Sequence, residues 1–130
     1  MRRISVHAST DYDVLVEHGL LRQCGSLLAG AAVTRHFVIV TDDTVDELYR
    51  KDLLHALGMA GCKAECFVFP HGEASKCSGT LLKLYDFLCE SGITRSDCLI
   101  ALGGGVVGDL TGFTAATYLR GIDFIQVPTS

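Results

Sequence analysis

Cys98-Leu99-Ile100-Ala101-Leu102 runs directly into Gly103-Gly104-Gly105-Val106-Val107-Gly108-Asp109, and a helix-forming stretch reaching Tyr118 follows at once. The unbroken apolar run predicts a strand covered on both faces, as parallel strands are. The glycines spell G-x-G-x-x-G at Gly103, Gly105 and Gly108, in the strand, turn, helix order that this motif requires. Glycine lets the backbone approach a pyrophosphate closely and take positive φ angles. A helix start adds unpaired N–H groups and a partial positive charge. A phosphate-binding turn is therefore expected, the alternative being a turn that only packs helix against strand. An ordinary dinucleotide fingerprint also carries an acid about 20 residues on, at the end of the next strand. Here that strand ends at Val127-Pro128-Thr129, and Asp123 lies near its start, at the wrong edge of the sheet.

Working outward, the same alternation extends back to residue 36. Strands are expected at His36–Thr41, Ala64–Phe69, Cys98–Leu102 and Ile122–Val127. Helices are expected at Thr44–Leu57, ended by Gly58, at Ser75–Glu90, ended by Gly92, and at Gly105–Tyr118. The buried stripe of the second helix reads as Leu81, Leu82, Leu84, Tyr85 and Leu88. Two short strands, Ile4–Ala8 and Asp13–Val16, and a helix over Gly19–Leu28 precede them. Alternating strands and helices imply an α/β, Rossmann-like, mainly parallel sheet with right-handed crossovers and helices on both faces. Residues 1–130 read as one domain.

Composition excludes several classes. The 130 residues are 48% hydrophobic and 20% charged, which suits a packed core and argues against disorder. A net charge of −4 argues against nucleic acid or an anionic membrane as the main partner. Met1-Arg2-Arg3-Ile4 has no apolar stretch behind it, so no secretory signal is read, and no apolar run is long enough to cross a bilayer. The expected location is the cytoplasm. The six cysteines (Cys24, Cys62, Cys66, Cys77, Cys89 and Cys98) contain no C-x-x-C pair and read as reduced, structural thiols. The five histidines (His7, His18, His36, His55 and His71) form no ligand pattern.

From Gly103 to Gly112-Phe113, then Ala115-Ala116-Thr117-Tyr118-Leu119-Arg120-Gly121, then Phe124-Ile125-Gln126-Val127-Pro128-Thr129-Ser130, the chain closely resembles 3-dehydroquinate synthase. Two upstream segments fit as well: Thr41-Asp42-Asp43-Thr44-Val45 looks like that family's first cofactor loop. Pro70-His71-Gly72-Glu73-Ala74-Ser75-Lys76 looks like its P-x-G-E-x-x-K motif. The resemblance implies catalytic use of NAD and a divalent metal, zinc or cobalt, to convert the seven-carbon sugar-acid phosphate DAHP into 3-dehydroquinate and phosphate in the shikimate pathway. It also implies a homodimer. Carried over, Asp42 binds adenosine ribose hydroxyls. Thr44, where the family often has Asn, lies beside it. Glu73 and Lys76 reach the ribose region. Gly104, Gly105 and Val106 contact the pyrophosphate, and Asp109 holds the nicotinamide end. Thr129 and Ser130 lie in the loop over the adenosine, Ser130 standing where Thr is usual. Arg120 binds substrate phosphate across a dimer interface.

Without the resemblance, plainer readings stay open. Asp42 can be a helix cap, Glu73 and Lys76 a surface capping pair, Asp109 a first-turn acid favoured by the helix dipole, and Arg120 a helix-end cation. The family's metal ligands and most of its substrate contacts belong to a C-terminal helical domain. No catalytic residue is therefore assigned in this chain, which is expected to be inactive alone and part of a longer protein. The other readings are a different sugar-phosphate cyclase, an iron-type polyol dehydrogenase domain, or a stand-alone nucleotide-binding module.

Overall fold

A computed structural model describes residues 2–6, 12–16 and 36–129. The Gly19–Leu28 helix, Ala8 and Ser130 lie outside the described residues. Strands β1 (Arg2–Val6) and β2 (Tyr12–Val16) pair antiparallel, with Ile4 opposite Val14. The remainder alternates as expected: β3 (His36–Asp42), α1 (Asp43–Met59), β4 (Lys63–Phe69), α2 (Ser78–Glu90), β5 (Cys98–Gly103), α3 (Gly105–Thr117) and β6 (Asp123–Pro128). Four parallel strands form one sheet in the order β4-β3-β5-β6.

β3 and β5 are central because their sequences can be buried on both faces. Successive side chains of a strand point to opposite faces. Val38, Val40, Leu99 and Ala101 accordingly join Leu84 and Leu88 of α2 and Val107 and Leu110 of α3 on one side. Phe37, Ile39, Ile100 and Leu102 meet Leu53 and Leu57 of α1 on the other. The chain therefore has the Rossmann-like α/β fold that its alternation implies. β6, with a largely exposed burial pattern, is one edge strand and β4 is the other.

Three details depart from the sequence expectation. α1 runs past Gly58, and the left-handed residue that ends it is Gly61, at φ +78°. There the Cys62 N–H donates to the Leu57 carbonyl at 2.9 Å and the Gly61 N–H to that of Gly58 at 3.0 Å. A glycine after the last turn is needed for this double bond, and Gly58 comes one turn too early. α2 begins at Ser78, not Ser75, because a short 3-10 turn over Glu73–Ser75 ends at Lys76 in a non-helical conformation (φ −80°, ψ 73°) and Cys77 is extended. Leu82 is exposed, being about 200° around the helix from Leu84. Its end at Gly92 is as expected, the Ile93 N–H donating to Leu88 at 3.0 Å.

Cys62 and Cys98 are buried in the core as small apolar groups, whereas Cys77 and Cys89 are exposed. Burial pushes the half-buried Cys66 thiol up to about 11, with Asp46 adding to it.

At the N-terminal edge of the sheet, buried Asp97 accepts from the Thr94 N–H (2.8 Å), the Thr94 hydroxyl (3.1 Å) and the His36 N–H (2.9 Å). Burial pushes its carboxyl up, but the hydrogen bonds outweigh this and hold it below 3.8, the ordinary carboxylate value. The stabilisation is full above that value and is lost as the pH falls through the lower folded value. Asp97→Ala is expected to cost about 2–3 kcal/mol at pH 7, since it orphans two backbone donors. Urea denaturation checks this, and the gap to wild type should narrow below about pH 4.

Candidate nucleotide site

The strand order fixes where a crevice opens. From β3 the chain crosses to β4 on one side and then to β5 on the other, and ligands bind at such a switch, outside the C-terminal strand ends. The β3–β5 ladder pairs Phe37 with Cys98 through Val40 with Ala101. Beyond it, the buried Thr41 hydroxyl donates to the Leu102 carbonyl at 2.7 Å, tying the two strand ends together where the site begins.

β5 ends in Gly103 at φ +150°, and Gly104 is the N-cap of α3 with no side-chain cap. The Gly108 N–H closes the first helical bond, onto the Gly104 carbonyl at 3.0 Å. The N–H groups of Gly105, Val106 and Val107 thus have no partner within the helix, which makes the turn an anion-binding end. The glycines do different work. A Cβ on Gly103 would lie 2.8 Å from Val107 Cγ2, so this glycine serves the fold. A Cβ on Gly105 would meet nothing within 4 Å, so no packing inside the chain demands a glycine there. At Gly108 a Cβ would lie 3.6 Å from Gln126 Oε1, and at Gly112 3.3 Å from the Phe124 ring. Gly108 and Gly112, one turn apart, let alternate side chains of β6 pack against α3.

A cleft of about 170 Å³ opens beside this turn, between Gly103–Gly105, Asp109 and Gln126. Gln126 was not among the residues read as functional. Its signal was available: a lone amide in the apolar strand Phe124-Ile125-Gln126-Val127, paired in register with Ala101.

The other candidates converge on the same edge of the sheet. Asp42 caps α1, its Oδ1 accepting from the Val45 N–H at 2.8 Å, and its Oδ2 has no partner among the described residues. The cap reading is thus realised, with one oxygen left to accept from a ligand. The loop after β4 packs onto α1 through His71, whose N–H donates to Asp43 at 3.0 Å and whose ring lies 2.7 Å from the same carboxylate. Thr44 Oγ1 lies 3.4 Å from that ring. The Asp43 carboxylate pushes the His71 pKa up, and the ring pulls that of Asp43 down.

The loop then crosses to α3, where Lys76 Nζ meets Asp109 Oδ2 at 2.7 Å. Both side chains are largely exposed, and the carboxylate pushes the Lys76 pKa up. The capping pair considered for Glu73 and Lys76 does not form. Asp109 is not in the first turn either: α3 starts at Gly105, so the dipole no longer accounts for the acid. At the far end, the Thr129 N–H donates to the Gly103 carbonyl at 3.3 Å, folding the segment after β6 over the turn.

Arg120 alone is elsewhere. It follows α3 and precedes β6, so it stands at the N-terminal edge, a full strand length from the glycine turn.

An α/β domain with a glycine turn, three free amides and a cleft at the switch point defines a nucleotide-binding class of fold. The family model for the 3-dehydroquinate synthase N-terminal region matches residues 66–130, half of the chain. The chain belongs to that family. The 3-dehydroquinate synthase of Streptococcus suis is 49% identical over 122 residues, covering 94% of this chain and 34% of the relative. The chain thus spans about a third of the length of the curated relatives it matches. A solved 2-epi-5-epi-valiolone synthase from Streptomyces hygroscopicus, with NAD+ and Zn2+ bound, superposes with a TM-score of 0.81 at 30% identity over 99% of this chain and 35% of that one. A solved 2-deoxy-scyllo-inosose synthase gives a TM-score of 0.88 at 21% identity, covering 99% of this chain and 36% of that one, and shares the fold.

Among the described residues, no group of three His, Cys, Asp or Glu side chains is placed to hold a metal, and no helix is long and apolar enough to cross a membrane.

Proposed function

We propose that this chain is the NAD-binding part of a 3-dehydroquinate synthase, an enzyme that turns DAHP into 3-dehydroquinate and phosphate. The observation that carries the reading is the glycine turn: Gly105 presents free backbone amides to a cleft, at a position where no neighbour needs a missing side chain. The 49% identity to a 3-dehydroquinate synthase, against 30% to the valiolone synthase, supports this reaction over another sugar-phosphate cyclase.

The residues fit NAD. The amides of Gly104, Gly105 and Val106 hold the pyrophosphate. Asp42 Oδ2 and Thr44 face the adenosine ribose, and Thr129 closes over the adenosine. Lys76 lies toward the ribose region with Glu73, and Asp109, held by Lys76, orients the nicotinamide end. When bound, the nicotinamide accepts and returns a hydride, so the chain's part is to position it. The divalent metal, zinc or cobalt, finds its ligands outside this chain. Arg120 reaches the substrate phosphate of a neighbouring protomer in a homodimer.

Calorimetry with NAD tests the reading. Saturable binding at millimolar concentration or below is expected, and no heat at millimolar NAD contradicts it. The same chain mixed with DAHP, NAD and zinc should release no phosphate, because the resemblance assigns the metal ligands to a C-terminal domain.

A further inference from the structure

Residues 71–76 form a strap that runs from α1 to α3, and a charge pair fastens each end. His71 Nδ1 lies 2.7 Å from Asp43 Oδ1, and Lys76 Nζ lies 2.7 Å from Asp109 Oδ2. Between these fasteners the chain closes on itself. The Ser75 N–H donates to the Gly72 carbonyl at 3.1 Å and the Lys76 N–H to that of Glu73 at 3.0 Å. The buried Ser75 side chain donates to the Pro70 carbonyl. These bonds stiffen the strap, so a shift at His71 is carried to Glu73 and Lys76.

The two fasteners differ in chemistry. Lysine and a carboxylate both stay charged between about pH 5 and 9, whereas histidine changes charge near neutrality. The charges that act on the His71 ring are both carboxylates: Asp43 at the start of α1 and, more weakly, Asp42 at the end of β3. They push its pKa above 6.5, the ordinary histidine value. The other charges of the strap are Glu73 and Lys76, and Lys76 is taken up by Asp109 of α3. The His71 backbone N–H adds a further bond to Asp43 Oδ1 at 3.0 Å. In the charged ring both nitrogens are donors. The Thr44 hydroxyl, 3.4 Å from Nδ1, then cannot donate to it and stays available to a ligand.

We propose that His71 is a positioning residue: its charged ring, docked on Asp43, sets the strap that carries Glu73 and Lys76, so the chain holds NAD more tightly when the ring is charged than when it is neutral. This rests on the cofactor reading given above. The sign follows from the direction in which Asp43 moves the ring. Docking is supported in full below 6.5, and the support is lost as the pH rises through the higher docked value. A neutral ring still hydrogen-bonds to Asp43 but no longer attracts it by charge. The two side chains are 67% and 53% exposed, so solvent screens the pair. The expected effect is therefore modest, about threefold in NAD affinity.

NAD titrations at about pH 6 and about pH 8.5 test this, since the ring changes charge between them. Wild-type affinity should fall about threefold across that range. It should stay flat in His71→Gln, which cannot titrate, and in Asp43→Asn, which keeps the ring but removes the charge it docks on. By reciprocity, saturating NAD should raise the NMR titration midpoint of the His71 ring by about 0.5, the logarithm of the same factor. Wild-type affinity that ignores pH would overturn the proposal. So would a pH dependence that persists in Asp43→Asn, which would put the charged ring directly on the cofactor. A second readout needs no NAD: in the free chain the Glu73 and Lys76 backbone amides should titrate with the His71 midpoint, and lose that response in Asp43→Asn. Amides that ignore the ring would overturn the strap. Absent NAD binding with amides that still follow His71 would count against the cofactor reading alone.

Discussion

Gly105→Val is expected to leave the stability of the chain within about 0.5 kcal/mol of wild type while weakening NAD binding at least about tenfold. The separation follows from the empty space around this residue. A Cβ there meets no atom of the chain within 4 Å, so the branched side chain creates no clash and fills no cavity. It projects from the first helical residue, among the amides of Gly104, Gly105 and Val106 assigned to the pyrophosphate. Those donors act through close backbone approach, and a side chain holds the phosphate off. Parallel thermal melts and calorimetric titrations check both halves. A valine variant that binds NAD as wild type does would show that the pyrophosphate lies elsewhere.

The neighbouring glycine should behave in the opposite way. Gly103→Ala is expected to destabilise the fold by about 3 kcal/mol, combining a positive-φ penalty with overpacking. Its φ of +150° disfavours any side chain, and the new Cβ would sit 2.8 Å from Val107 Cγ2. Val107 cannot yield, being 1% exposed in the core with Leu110 and Leu99. A fall in melting temperature of about 10 °C is the expected reading for a domain of this size. In the sequence Gly103 and Gly105 look equivalent, as two glycines of one run. Only the packing assigns one to the fold and the other to a ligand.

That pair shows what the sequence could and could not reveal. The α/β alternation was legible because β3 and β5 are apolar at successive positions, a pattern that only a strand covered on both faces satisfies. The glycine turn was legible because its context is strand, turn, helix. Local breaks were not. Lys76 and Cys77 leave the helical conformation because the loop reaches from His71, held on Asp43, across to Asp109 on α3. Those partners lie 28 and 33 residues apart in the chain, beyond any local pattern. The same tertiary reach turns Lys76 from the surface partner of Glu73 into the partner of Asp109. Gln126 was missed because its role depends on strand register, which brings it beside Gly108 through the pairing of β6 with β5. Arg120 was singled out by the resemblance, but only the topology puts it at the far edge of the sheet.

The most direct test of the central claim is an NAD titration of the isotopically labelled chain, followed at every backbone amide. The account predicts saturable shifts that are largest at Gly104, Gly105 and Val106, with smaller ones at Asp42, Lys76 and Asp109, all on one sheet edge. Saturable shifts centred on another part of the chain, or no shifts at millimolar NAD, would contradict it.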